Sequence, residues 1–99
     1  MPAYLIVNYH VDDPKLYGEY AAAAGPAMKI GEWCKLLALD PKTEQIEGEG
    51  AGHQTVVLEF PSKEKAKEVY ESGAYQAVIG KRLDATSKHF AILIDGMPG

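Results

Sequence analysis

Cysteine is nearly absent from this chain: Cys34 is the only one among 99 residues. Disulfide staples are therefore excluded, and a lone thiol suits a reducing compartment. The three histidines, His10, His53 and His89, share no metal-ligand spacing with Cys34 or with one another, so no metal site is expected. A surplus of positive charge is missing too. Ten basic residues stand against fourteen acidic ones, interspersed, for a net charge of -4. Nucleic acid asks for a concentrated basic face, so it is not an expected partner. No apolar run approaches the roughly 20 residues of a membrane span. The start "MPAYLIVNYHV" lacks the basic region and small-residue cleavage site of a signal peptide. The expectation is a cytoplasmic protein with no membrane partner and no cofactor.

What is present has a clear rhythm. "AYLIVNY", residues 3 to 9, is short and rich in β-branched and aromatic residues, as a strand requires. Asp13 is a good helix N-cap with Pro14 at the first helical position, and Leu16, Tyr17, Tyr20, Ala21 and Ala24 follow at helical spacing. Gly25 and Pro26 should interrupt or kink this helix, and Gly31 marks a later stop. "CKLLALD", residues 34 to 40, reads as a second strand that resumes through "TEQIEG" after the turn at Pro41. It pairs as a hairpin with "TVVLEF", residues 55 to 60. Ser62 caps a helix over "KEKAKEVYE", with Ala66, Val69 and Tyr70 inward. "FAILID", residues 90 to 95, is the last strand.

Between them lies "VYESGAYQAVIGKRL", a helix broken at Ser72 and Gly73. From Lys63 to about Lys88, one unbroken helix would run roughly 39 Å at 1.5 Å per residue. Strands of about seven residues span only about 23 Å. The break is a corner, with Ser72 capping the restarted helix.

The order β-α-β-β-α-β is the split βαβ, or ferredoxin-like, pattern: an α+β fold with two helices on one face of a four-stranded antiparallel sheet. No linker or repeat divides the chain, so residues 1–99 are expected to form one domain. Tyr4 and Ile6 lie on one face of the first strand and Leu5, Val7 and Tyr9 on the other. Both faces are apolar, and two helices cover only one. A homodimer joined through the open sheet face is therefore expected.

"YLIV", "DDPKLYGEY", "IGEW", "IEGEG", "VVLEFPSKEKA", "YESGAYQ" and "KRLDA" resemble, in order and spacing, the DUF1330 family of the dimeric α/β-barrel superfamily. The resemblance covers nearly the whole chain. It implies a ferredoxin-like protomer, a dimer whose sheets close into a barrel, and a pocket between sheet and helices. It implies no reaction, because the family has no settled activity. It also marks Arg82 and Asn8 as pocket positions, while His10 has no counterpart in the pattern. The family's Ser-Pro-Glu-Tyr is replaced here by Ser72-Gly73-Ala74-Tyr75.

Arg82, the single arginine, carries most of the functional argument. After the break the apolar stripe reads Tyr75, Val78, Ile79, Arg82, Leu83, Thr86, which sets Arg82 among residues facing the sheet. A guanidinium cannot shed its charge, so burial demands an acid from the protein or from a ligand; otherwise its head must reach solvent. Topology brings the end of that helix toward the end of the first strand. Asn8, His10, Tyr17, Tyr20 and Arg82 are thus expected to converge. Asn8 would orient a carbonyl, the tyrosines, Tyr75 included, would form walls, and His10 is a weak candidate for moving a proton. "GEGAG", residues 48 to 52, is followed by a strand rather than a helix, so it is no phosphate loop. Cys34 has no evident histidine base.

These residues suggest a small-molecule pocket for a partly apolar, oxyanion-bearing compound. They leave open whether the protein is a cofactor-free enzyme or a non-catalytic binding or structural module.

Overall fold

In the computed structural model, which describes residues 1–97 apart from the His89 side chain, the N-terminal run forms β1 (Ala3–Val11). Pro98 and Gly99, the end of the tail, lie outside the described residues. Next comes α1 (Pro14–Ala27), whose Asp13 cap accepts a hydrogen bond from the Leu16 amide. Pro26 does not stop this helix. It falls in the last turn, where only one backbone bond is forfeited, and the helix closes on Met28, whose amide donates to the Ala24 carbonyl while the Lys29 amide donates to that of Pro26.

β2 (Lys35–Asp40) and β3 (Gln54–Phe60) pair as the expected antiparallel hairpin. The segment between them is a loop. Gly48 and Gly50 take positive φ angles of 77° and 101°, which breaks the extended course expected for "TEQIEG". Ser62 caps α2 (Lys63–Tyr70) and Ser72 caps α3 (Gly73–Ala85), so the Ser-Gly step is the corner that the length argument required.

α3 stops three residues earlier than its pattern suggests. The Ala85 carbonyl accepts from the amides of Asp12 and Asp13, and the Thr86 hydroxyl donates to the Arg82 carbonyl at 2.6 Å. Those bonds satisfy the helix end and release the chain into β4 (Thr86–Asp95). Thr86 is buried as a strand residue, and Leu83, expected inside, is 41% exposed. Lys88, at φ 53°, lies where β4 slips one residue against β1.

The sheet runs β2-β3-β1-β4, antiparallel throughout, with one isolated bridge between Ile30 and Cys34. The expected α+β ferredoxin-like protomer is thus present. Leu5, Val7 and Tyr9 of β1 and Leu58 of β3 face the helices and join Tyr20, Ala24, Met28, Ala66, Val69 and Tyr75 in the core. Burying each large side chain there contributes about 1.5–3 kcal/mol. The opposite face has no such cover. Phe90, Ile92 and Ile94 remain 43–48% exposed beside half-buried Tyr4, Ile6 and Val57. Every residue of β2 is exposed, because this edge strand lies beyond the helices. No helix among the described residues is long and apolar enough to cross a membrane.

Candidate functional site: a tyrosine-lined cleft backed by Arg82

β1 decides which predicted residues meet, because its side chains alternate between faces. Tyr9 takes the inward position, 2% exposed, and its hydroxyl is 2.6 Å from that of Tyr17 on α1. Three residues further along α1, Tyr20 meets Tyr75 of α3, hydroxyl to hydroxyl, at 2.7 Å. The rings pack in a continuous series from Tyr9 through Tyr17, Tyr20 and Tyr75 to Tyr70, with centroids 5.1–6.3 Å apart.

Arg82 lies within this group. It is 4% exposed, and its guanidinium carbon is 5.7 Å from the centre of the Tyr9 ring. Its Nε is buried without a hydrogen-bond partner, and no carboxylate among the described residues pairs with it. Among the described residues its aromatic contact is the face of the Tyr9 ring. Its charge favours ionisation of Tyr9, Tyr20 and Tyr75, but burial is the larger cause and raises all three hydroxyls above the usual tyrosine range. They are neutral donors at any ordinary pH.

Against these tyrosines, between α1 and the sheet, is a cleft of about 140 Å³. Leu5, Val7 and Leu58 form its floor, Ala24 and Met28 its helical wall, and exposed Ile30, Leu36 and Leu39 its mouth beside β2. Tyr9, Tyr17, Tyr20 and Tyr75 supply its polar end, with Arg82 behind them. Gln54, also buried, points Nε2 toward the Tyr17 hydroxyl at 3.5 Å.

Of the residues expected to converge, Tyr17, Tyr20 and Arg82 do, and Tyr75, expected as a wall, joins them. Asn8 and His10 do not. Both flank Tyr9 in β1, so the strand's period of two directs them away from the helices. Asn8 instead clamps the end of the β2–β3 loop. Its Oδ1 accepts from the Gly52 amide at 2.7 Å, and its Nδ2 donates to the Gly52 carbonyl and the Thr55 hydroxyl. His10 is exposed, bonded through Nδ1 to Asp12 at 2.8 Å and packed edge-on against His53. Asp12 is held below the usual carboxylate range, first by Ser87 and then by His10. His53 in turn accepts the Val11 amide on Nε2 and bonds the Pro41 carbonyl through Nδ1. This cluster fastens a loop to a strand end. Sequence reasoning missed Tyr9, whose signal was its alternation with Leu5 and Val7.

Cys34 lies apart from the cleft. It is 2% exposed, and burial pushes its thiol up to about 11. Because the thiolate is the nucleophile, the native protein should alkylate with iodoacetamide on the order of a hundredfold more slowly than free cysteine at pH 8. Mass spectrometry of native and denatured samples checks this, and equal rates in the two would contradict it.

The family model of DUF1330, a domain of unknown function, matches residues 2–97. No curated protein matches the chain by sequence. Among solved structures, a protein of unknown function from Rhodopseudomonas palustris superposes with a TM-score of 0.77 at 16% identity, covering 99% of this chain and 84% of that one. A dimeric ferredoxin-like protein of unknown function from Thermobifida fusca gives 0.68 at 13% identity, covering 95% and 90%. A putative antibiotic biosynthesis monooxygenase from Caulobacter crescentus gives 0.61 at 13% identity, covering 98% and 91%. At these identities the likeness concerns the fold.

Proposed function

The chain belongs to the DUF1330 family, a domain of unknown function, and we propose that it binds one small, partly apolar, oxyanion-bearing molecule in the tyrosine-lined cleft of each protomer of a homodimer. The observation that carries this reading is Arg82, a buried cation with no anionic partner among the described residues. A permanently charged group among buried rings is unfavourable without a counter-charge, and an anion in the adjoining cleft would supply one. The cleft's volume, about 140 Å³, is close to that of the roughly 150 Å³ apolar cavities that take one benzene-sized molecule. Binding is favoured over catalysis because, among the described residues, no histidine, carboxylate, lysine or cysteine lines the cleft, and tyrosines held neutral by burial are poor bases.

The dimer reading rests on the uncovered face of the sheet, where Phe90, Ile92 and Ile94 lie in a row beside Tyr4 and Ile6. Pairing two such faces would remove them from water, and the Thermobifida fusca relative is described as dimeric. Each protomer is then a single domain with its own cleft on the helical side.

A thermal-shift screen of small carboxylates, enols and phenols on the wild type and on Arg82→Met tests the site. Ligands that stabilise only the wild type are expected; at a hundredfold excess over Kd the stabilisation is about 2.7 kcal/mol. Equal shifts in both proteins would remove Arg82 from the site. Sedimentation at micromolar concentration should give a dimer, and a stable monomer would overturn the account of the sheet face.

A further inference from the structure

The cleft is longer than it is roomy. Its lining runs from Val7 on β1 through Val56 and Leu58 on β3 to Leu36 and Leu39 on β2, the edge of the sheet. At the usual strand spacing that course is about 10 Å. A volume of about 140 Å³ drawn out over it makes a narrow passage rather than a chamber. The tyrosine hydroxyls sit at one end. Beyond the tyrosines, no lining residue among the described ones carries a polar side chain.

The other end is open and apolar. Leu36 pairs with Leu58 and Leu39 with Val56, and cross-strand partners share a face, so both leucines point to the helical side of the sheet. They lie beyond the cover of the helices, and with Ile30 they remain exposed. A partner docked on Phe90, Ile92 and Ile94 would sit against the opposite face and leave them uncovered. Resting on the binding reading above, we infer that the ligand is elongated: an unbranched alkyl or acyl chain that starts at the tyrosine end, fills the passage and leaves across Ile30, Leu36 and Leu39. A compact ring would match the volume but leave the mouth in water, whereas a chain covers both. Each methylene taken out of water should tighten binding roughly fourfold.

The test is titration calorimetry of the full-length protein with straight-chain alkanoates from butanoate to decanoate. Affinity should climb by roughly that factor per methylene and level off once the chain passes the mouth. Leu36→Asn and Leu39→Asn alter exposed side chains, so the fold should persist; they should weaken decanoate by about tenfold or more and leave butanoate, which does not reach them, unchanged. Leu37→Asn, on the same strand but outside the lining, should change neither. Gly25→Leu offers an independent check: Gly25 lines the passage on α1, a Cβ there meets nothing within 4 Å, and the larger side chain should narrow the way for long chains. If all chain lengths bind alike, the chain class is wrong and the site reading stands. If the Leu36 and Leu39 variants keep the full gradient, the chain does not leave over β2 and the inference falls. If Leu39→Asn sediments as a monomer where the wild type is a dimer, the mouth is a contact between copies and the inference falls. If no alkanoate binds, it falls as well, and the screen on Arg82→Met decides the site reading by itself.

Discussion

Replacing Arg82 with methionine should make the ligand-free protein more stable, by about 1–2 kcal/mol. A buried charge without an ionic partner is a net cost, and exchanging buried charged groups for apolar residues of similar size often stabilises a protein by about 1–4 kcal/mol. Set against this is the attraction between the guanidinium and the Tyr9 ring, about 1–2 kcal/mol in a dry setting. Methionine keeps the apolar stem of the side chain and vacates only the space of the guanidinium head, which its flexible neighbours and its own thioether partly fill. For a domain of this size each kcal/mol moves Tm by about 4–8 °C. Calorimetry on the two proteins decides the matter. A rise in Tm together with lost ligand response is the pattern of a site residue whose cost to stability is tolerated for function. A fall of several degrees would mean that Arg82 holds the tyrosine cluster together, and the binding reading would lose its main support.

Much of this fold follows from local chemistry. The caps at Asp13, Ser62 and Ser72 depend on residues three apart, and each occurs where the sequence places it. The corner at Ser72 and Gly73 follows from comparing helix length with strand length. The errors arise where a distant segment intervenes. α3 ends at Ala85 because two amides beyond β1 take its carbonyl, a contact that no window around residue 85 contains. The loop after Pro41 is held at both ends: the Thr43 amide donates to the His53 carbonyl, and Asn8 grips Gly52. Those ties take the segment out of the sheet. In the site, helical periodicity was sufficient to bring Tyr75 and Arg82 together, with Tyr17 and Tyr20 opposite. The strand contribution was not decidable in the same way. Tyr4 and Ile6 are nearly as apolar as Leu5 and Val7, so those four do not say which face meets the helices, and the contrast of Tyr9 with the polar Asn8 and His10 was the one signal. The polar residue drew the functional assignment, whereas the aromatic beside it stands over Arg82.

Gly52→Ala should destabilise the protein by about 3 kcal/mol or more, the largest loss expected from any single methyl group added to this chain. The reason is proximity rather than backbone strain. A Cβ at residue 52 would overlap the carbonyl carbon and oxygen of Tyr9 and crowd the His10 nitrogen. These are backbone atoms of a central strand paired on both sides, so they cannot turn aside as a side chain would. Relief would require lifting Gly52 away from β1. That breaks both of its bonds to Asn8 and leaves a buried amide unsatisfied, at about 1–3 kcal/mol. Gly18→Ala is the control: it lies in α1 with open space around it, and should be neutral or stabilising by up to about 1 kcal/mol. Urea unfolding of the two variants, with unchanged m-values, separates these outcomes. A loss below 1 kcal/mol for Gly52→Ala would show that the loop end is not pressed against the strand. The collision also falls on Tyr9 itself, whose ring faces Arg82 from the other side of the sheet. The variant that still folds should therefore bind cleft ligands more weakly, although Gly52 lies on the face that the cleft does not touch.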